Sequence, residues 1–433
     1  MTAPDSVFAS DFKEEPYWWE AARPEPDDTP LPEHADVVVV GGGYAGLSTG
    51  LELARGGVDA LVLDAEPAGW GASSRNGGMV SGGVNVGKGV ALEPAERNAM
   101  LEEAAASFDH FESVVEREGI ECHFQRTGRF VGAHSRTAYR ALAERVRILN
   151  ESARSEAHLV PPERQREEIG SDYYRGGMVV GRSGGVHPAL YHRGLLAAAR
   201  RHGATVCGGT RVEGISGGPG TFEVKTSRGM VRAREVVIAT NGYTGPLTPW
   251  QRRRLVPVGS YIIATEVIGE ERVRALFPTL RMVAETKRVL CYYRPSPDRT
   301  RVLFGGRASF APVDAVTAAP VLHRFMCQIF PELRGVKITH SWTGNVAFTL
   351  DHLPHMGVQD GMHYAVGCNG SGVVMMSYLG HQVALRILGR TNRRCAFDRA
   401  EFRAIPLYDG RPWFLPMVGA SYRLRDKIDR AMD

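Results

Sequence analysis

The chain is short of the features that announce whole classes of function. Its six cysteines (Cys122, Cys207, Cys291, Cys327, Cys368 and Cys395) include no CxxC pair, so neither a zinc cluster nor a disulfide framework is written in them. Unpaired thiols suit a reducing cytoplasm. Little net charge accumulates: 52 Lys+Arg against 48 Asp+Glu leaves +4. A nucleic-acid partner needs a concentrated basic face, whereas clusters such as Arg252-Arg253-Arg254 and Arg393-Arg394 are short and read as solvated surface. No apolar run reaches the roughly 18–20 residues of a transmembrane helix. The most apolar long stretch, residues 372–388, carries His381, Gln382 and Arg386 and reads as a buried helix. The start of the chain is acidic and aromatic (DFKEEPYWWE, residues 11–20) and lacks the basic start and apolar core of a signal peptide. HExxH is missing too, and no metal site is expected. With 43% hydrophobic and 23% charged residues, the balance is that of a globular enzyme.

What is there is glycine in particular places. Residues 37–66 read VVVVGGGYAGLSTGLELARGGVDALVLDAE. The apolar run 37–40 is too short for a helix and suits a buried parallel strand. Gly41-x-Gly43-x-x-Gly46 follows it and opens a helix over 47–55, and a second strand over 60–63 ends in Asp64. The first glycine permits a tight turn, the second lets a pyrophosphate approach the backbone, and the third lets helix and strand pack. The helix start offers free N–H groups and a positive dipole to phosphates. Asp64, with Glu66 as the alternative, suits an adenosine ribose, and an acid there disfavours a 2′-phosphate. The unit reads as an adenine-dinucleotide site.

The next loop distinguishes the dinucleotides. Residues 69–78, GWGASSRNGG, are rich in small residues and donors. A mobile nicotinamide needs no such loop, whereas a bound flavin must have its pyrophosphate and ring wrapped. Two later segments repeat the logic. VVIATNG, residues 236–242, is a strand ending in small polar residues, and GCNGSGV, residues 367–373, is a glycine-spaced turn before the last long helix. Such a helix start stabilises the negative charge that a flavin gains on reduction. FAD is therefore expected, with an NAD-dependent dehydrogenase, which would purify colourless, as a remote alternative. A non-catalytic or tRNA-modifying flavin scaffold would hold flavin that no amine reduces.

Between these segments the pattern predicts helices over 93–118, 136–154 and 188–202, and strands over 129–133 and 204–207. It predicts a hairpin of 222–226 with 230–233, then a separate strand over 235–239, and further strands over 342–349 and 362–366. Residues 260–267, 289–293 and 302–304 suggest an antiparallel sheet. Residues 21–35 read as an extended arm. The fold class is α/β: a Rossmann-like FAD-binding domain in discontinuous segments (30–95, 178–250 and 338–400) with an inserted α+β substrate domain (96–177 and 251–337). An N-terminal arm (1–29) and a C-terminal extension (401–433) flank them.

The segments GGGYAGL, DAEPAGWGASSRNGG, TRVEGI, VVIATNGYT, TLDHLPHMG and GCNGSGV, in that order, resemble the D-amino-acid-oxidase-like flavoprotein family, in its glycine/sarcosine oxidase and γ-glutamylputrescine oxidase branch. PYWWE, SYIIATE (residues 260–266) and VLFGGR (302–307) add to the likeness to that branch, and the resemblance covers roughly residues 15–400. It implies that Gly41, Gly43 and Gly46 meet the pyrophosphate and Asp64, with Ala65, the ribose. It implies that Ser74, Arg75, Asn76 and Gly77 line the way to the ring, and that Val212 meets the adenine through its backbone. Thr240 and Gly242 would pack near the dinucleotide, and Gly370, Ser371, Gly372 and Val373 at the flavin pyrimidine edge. Two departures matter. The sarcosine oxidase branch tethers its flavin through a cysteine near where this chain has Trp342-Thr343-Gly344, so FAD is expected to be non-covalent. That branch also keeps a lysine over the flavin to activate oxygen, and Leu303 falls there, which opens the acceptor to oxygen, a quinone or another carrier.

The resemblance implies oxidation of the C–N bond of an amine or amino acid: a secondary amine, N-methyl amino acid, D-amino acid or γ-glutamyl polyamine. The cofactor carries the redox step, and the protein orients the substrate. Arg307 follows Gly305-Gly306 at a strand end, where it either clamps a carboxylate or serves a structural ion pair. Tyr261, Tyr292 and Tyr293 lie on the substrate sheet, as walls or ligands. His352 and His355 flank Pro354, in a loop that the family places beside the flavin, and either would tune an amine's protonation. Arg307, His352 and Tyr261 are the candidates for the substrate chemistry. Cys368 reads as a buried small hydrophobe rather than a tether, and Trp342 and Met79 as apolar wall or core.

Overall fold

The computed structural model describes residues 6–82, 92–391 and 393–431. The first apolar run forms His34–Val40, and its four valines are buried on both faces, as a central parallel strand requires. It pairs in parallel with Ala60–Leu63 on one side and Gly229–Ile238 on the other. Thr205–Cys207 and Met362–Val366 extend the parallel ladder outward. The hairpin Val212–Ser216/Phe222–Thr226 joins this sheet through Gly229–Ile238, and His355–Gln359 adds to Met362–Val366.

The second sheet has nine strands. Their order is Phe8–Lys13, Ile338–Phe348, Val256–Thr265, Val302–Gly306, Cys291–Pro295, Met282–Glu285, Arg129–Gly132, Gly177–Val180 and Ala157–Val160. It is antiparallel except at two pairs: Phe8–Lys13 with Ile338–Phe348, and Met282–Glu285 with Arg129–Gly132. Alternation gives this sheet two faces. Tyr261, Ile263, Tyr293, Val302 and Phe304 fall on the back, in one core with the helices Glu270–Leu276 and Ala315–Ile329. Ile262, Leu303, Tyr292 and Trp342 fall on the front, in the same core as the parallel sheet.

Two helices set the geometry of the front. Tyr44–Arg55 and Gly372–Ile387 cross at Gly380, where a β-carbon would overlap the Ala45 carbonyl. Thr49 Oγ1 bonds the Gly380 carbonyl at 3.0 Å, and His381 Nδ1 lies 3.4 Å from Glu52. The starts of these two helices are the glycine-rich turns read from sequence.

Several elements differ from the pattern-based reading. Gly229–Ile238 is one strand rather than two, because its first half pairs with the hairpin while the rest is buried between parallel neighbours. Ile338–Phe348, grouped by sequence with the nucleotide segments, pairs in the nine-stranded sheet. Residues 22–33 carry no helix or strand, in line with an extended arm, but ahead of them Phe8–Lys13 is a strand and Tyr17–Glu20 a short 3-10 turn, which the pattern does not announce. The C-terminal extension holds a helix, Leu415–Ala431.

Candidate active site

The glycine turn is built from the strand upward. Gly41 has φ +114°, and its N–H bonds the Leu63 carbonyl at 2.7 Å. A β-carbon on Gly41 would stand 2.7 Å from the Ala239 carbonyl oxygen, and one on Gly46 would overlap the Gly41 carbonyl. The turn is therefore closed against residues 239–240 on one side and its own helix on the other, and only glycine fits. Gly43 is the helix cap. The next N–H, of Tyr44, donates to Ser73 Oγ at 3.0 Å, which brings the second glycine-rich loop to the helix start.

Asp64 receives the Gly42 N–H at 2.8 Å and the Glu66 N–H at 3.1 Å. Burial pushes its carboxyl above the usual range, and it has no cation partner among the described residues. A buried acid with only N–H donors around it suits neutral hydroxyls, the chemistry of a ribose. Ala65 follows it in the same turn. The Asp64 carbonyl accepts from Thr210 N at 2.7 Å, so the segment reaching Val212 runs directly beside the acid. Glu66, the alternative acid, pairs instead with Arg211 at 3.2 Å.

Residues 69–78 are held from three directions. Ser74 Oγ accepts from Trp19 Nε1 at 2.8 Å, and the Asn76 carbonyl from Trp18 Nε1 at 2.9 Å. The Arg75 carbonyl accepts from Trp342 Nε1 at 2.7 Å. Asn76 Oδ1 accepts from Gly78 N at 2.8 Å. The Arg75 guanidinium lies 4.5 Å over both Trp19 and Trp70 and donates to the Trp70 carbonyl at 2.6 Å. Gly77 rests against the Tyr292 ring, 2.9 Å from where a β-carbon would be.

The later segments are stitched together by two asparagines. Asn241 Oδ1 accepts from Gly367 N at 2.9 Å, and Asn369 Oδ1 from Thr349 N at 3.1 Å. Thr240, Gly242, residues 349–355 and Gly370–Ser371–Gly372–Val373 thus form one rim. Gly242 packs so closely on Asn345 that a β-carbon would sit 2.7 Å from its carbonyl. Gly370, at φ +85°, has nothing within 4 Å of where a β-carbon would be. Two helix starts, three glycine-lined turns and a buried hydroxyl-seeking acid on one rim fit an adenine dinucleotide bearing a flavin.

The sheet's front faces this rim. Tyr292 packs over Gly305, and its hydroxyl bonds Ser260 Oγ at 2.8 Å. Arg307 lies 4.6 Å over Phe348 and 5.6 Å from Phe310, with no acidic partner among the described residues. Burial lowers its pKa. His352, at φ +53°, stands edge-on to Phe348 at 6.3 Å, and burial first, then Arg307, lowers its pKa. Arg307 and His352 are therefore brought together. Tyr261 is not: it points to the back of the sheet, where its hydroxyl takes the Val313 N–H and donates to the Val313 carbonyl, both at 3.2 Å. The front-facing hydroxyl is that of Tyr292. His355 is buried against Phe402, with ring centroids 3.9 Å apart, and pairs with Asp351 at 3.0 Å, a packed structural pair. The buried Cys368 points its thiol at the Ala347 carbonyl.

Two residues that the motifs do not reveal, Arg294 and His192, complete the site together with Trp18 of the PYWWE segment. Arg294, cross-strand from Leu303, is wholly buried and donates to the carbonyls of Val186 at 2.7 Å and Gly78 at 3.2 Å. Burial lowers its pKa to about 9. His192 holds the Gly42 carbonyl at 2.7 Å from inside the helix Pro188–Arg201. Burial lowers its pKa to about 4, so the ring is neutral and donates. Trp18 caps the loop from the N-terminal segment. The one sequence signal for Arg294 and His192 is a polar side chain on an otherwise apolar strand or helix face, which also fits ordinary packing.

Known proteins resemble the chain along most of its length. The model of the FAD dependent oxidoreductase family matches residues 36–386. γ-Glutamylputrescine oxidoreductase of Escherichia coli is 31% identical over 404 residues, covering 91% of this chain and 93% of its own. Glycine oxidase of Geobacillus kaustophilus is 27% identical over 386 residues, covering 85% and 96%. The crystal structure of glycine oxidase from Geobacillus kaustophilus superposes with a TM-score of 0.71 at 22% identity, over 87% of this chain and 99% of that one, which shows the shared fold. With almost all of the two sheets inside that match, the chain belongs to the FAD-dependent oxidoreductases of the D-amino-acid oxidase family and is an enzyme of its amine- and amino-acid-oxidising class.

Proposed function

We propose that the substrate is an amine that also bears a carboxylate, as N-methyl amino acids, D-amino acids and γ-glutamyl polyamines do, and that its C–N bond is oxidised to an imine that water then hydrolyses. The observation that carries this reading is Arg307: a half-buried guanidinium on the cofactor side of the sheet, between two aromatic rings, with no acid to neutralise it among the described residues. A guanidinium so placed gains most from a bidentate carboxylate. The similarity to γ-glutamylputrescine oxidoreductase supports the acylated polyamine among these classes.

In this reading Gly41, Gly43 and Gly46 hold the pyrophosphate of FAD, Asp64 with Ala65 the ribose, and Val212 the adenine. Ser74, Arg75, Asn76, Gly77, Thr240 and Gly242 enclose the dinucleotide, and Gly370 to Val373 the pyrimidine edge. Bound FAD supplies the hydride acceptor. Arg307 fixes the carboxylate end. Tyr292 and Ser260 form a polar wall over Gly305 that orients the chain of the substrate. His352, kept neutral by burial, takes the proton from the incoming ammonium group, so that the nitrogen lone pair is free to drive the transfer. Phe348 and Trp342 exclude water. The cofactor is held without a covalent bond, and all six cysteines are free, in keeping with a cytoplasmic compartment. Oxygen is the acceptor in the principal reading. Leu303, buried where the related branch keeps a lysine, favours as second reading a quinone or another carrier.

Anaerobic absorbance spectra test this. Acid precipitation should leave the flavin in the supernatant, and carboxylated amines should bleach the native protein. Arg307→Met should raise KM for those amines by about 10–100-fold, the loss of a charged hydrogen-bond pair, and leave amines without a carboxylate unchanged. Equal changes for both classes would end the carboxylate assignment. Oxygen uptake during turnover separates the two acceptors.

A further inference from the structure

The helix Leu415–Ala431 lies past residue 386, where the family match ends. Its inner face is docked. Gly419 meets the Phe310 ring, where a β-carbon would overlap it. The Asp426 carboxylate accepts from the backbone N–H groups of Arg288 at 3.1 Å and Val289 at 3.0 Å. Arg288 Nη1 pairs with Asp426 at 3.1 Å and with Asp429 at 2.6 Å, and Arg430 lies 4.2 Å over Tyr173.

The outer face is apolar. Met417 and Leu424 are each 60% exposed and Ile428 47%. At about 100° per residue these three side chains fall within an arc of roughly 40°, opposite Asp426. Arg425 and Lys427, both exposed, stand about 80° to either side of that stripe. Trp413, 60% exposed, precedes the helix. Of the two acids of the helix, Asp426 is buried and Asp429 half-buried, and both pair with Arg288, so the outward charge, carried by Arg423, Arg425 and Lys427, is mainly positive. An apolar stripe flanked symmetrically by cations is the pattern of a helix that lies in a bilayer interface. It differs from a spanning segment, and no helix among the described residues is long and apolar enough to cross a membrane.

We propose that this face docks the protein on an anionic lipid surface: Met417, Leu424, Ile428 and Trp413 enter the headgroup boundary, and Arg425 and Lys427 engage lipid phosphates. A second copy of the chain fits less well, because its own Arg425 and Lys427 would meet these like charges, with only the half-buried Asp429, already paired with Arg288, to offset them. The inference is independent of the substrate reading, since it concerns binding alone.

Cosedimentation of the full flavoprotein with vesicles tests it. The protein should pellet with phosphatidylglycerol–phosphatidylcholine vesicles and stay in solution with pure phosphatidylcholine, and high salt should weaken the binding. Met417→Gln/Leu424→Gln/Ile428→Gln should lower the partition constant at least about tenfold, with flavin absorbance and circular dichroism unchanged because all three side chains are exposed. Arg425→Gln/Lys427→Gln should remove most of the salt dependence. Absence of wild-type binding to the anionic vesicles would overturn the proposal, as would equal binding by the triple variant. Sedimentation velocity showing a dimer that the triple variant dissolves would overturn it in favour of self-association.

Discussion

Tyr261 and Tyr292 show what one position of strand parity decides. Both are tyrosines of the nine-stranded sheet, and their type and spacing make each a candidate ligand. Tyr261 faces the back, where the Val313 backbone uses its hydroxyl twice, and Tyr292 faces the cofactor rim with Ser260 as its partner. Tyr261→Phe should therefore lower stability by about 1 kcal/mol, the loss of hydrogen bonds to a buried backbone, and leave kcat/KM unchanged. Tyr292→Phe should instead change KM and leave thermal stability nearly as it was. Steady-state kinetics beside thermal denaturation read both, and the reverse pattern would exchange the two assignments. Parity itself is legible in the sequence, since neighbours alternate. Which parity faces the rim is not, because that depends on the helices Glu270–Leu276 and Ala315–Ile329 covering the back. Gly41, Gly43, Gly46 and Asp64 are legible for the opposite reason: a single strand–turn–helix–strand unit contains most of their geometry, with only Ala239 of a later strand closing the turn at Gly41. Arg294 and His192 act across the fold on carbonyls of other segments, and no local pattern marks such a contact.

At the scale of elements, the site depends on two helix starts being aimed at one place, and the crossing of Tyr44–Arg55 with Gly372–Ile387 sets that aim. The approach is close because Gly380 leaves the Ala45 carbonyl room. Gly380→Ala gains helix propensity worth about 1 kcal/mol, but its methyl must push the helices apart, and overpacking of this kind costs about 1–3 kcal/mol. The overpacking outweighs the gain in propensity. Tm should fall, and FAD should bind more weakly, because separation moves both helix starts. A titration of apoprotein with FAD, followed by flavin fluorescence, reads the second effect; unchanged affinity would show that the two starts are positioned by their turns alone. The sequence shows both helices plainly, through their apolar faces and preceding glycines. It does not show that they touch, since residues 45 and 380 lie far apart in the chain. The helix Ala315–Ile329 is hidden differently: Pro320 lies inside it, where proline ordinarily argues for a break, yet its apolar face covers the sheet and packing prevails over propensity.

At the scale of the whole molecule, one sheet's loops form the glycine-lined rim, the other sheet brings Tyr292 and Arg307 to face it, and the N-terminal segment ties the two. Phe8–Lys13 pairs with Ile338–Phe348 in the nine-stranded sheet, and a few residues on, Trp18 and Trp19 hold the loop over 69–78 that belongs to the cofactor rim. Trp18 is wholly buried and has Arg294 over its ring at 5.5 Å. Trp18→Ala therefore removes core packing, at about 3–5 kcal/mol, and also frees the Asn76 carbonyl at the rim. The two losses separate by linkage. A ligand that binds the folded state alone stabilises it by an amount set by its concentration over Kd, about 2.7 kcal/mol at 100 times Kd. If Trp18 merely fills the core, added FAD raises the Tm of wild type and variant by equal increments. If it orders the rim, as its bond to Asn76 indicates, the variant's Kd is higher, and its Tm begins to rise only at correspondingly higher FAD. The expected result is the second: a right-shifted Tm curve, with a variant that purifies partly colourless and turns yellow when FAD is supplied in excess.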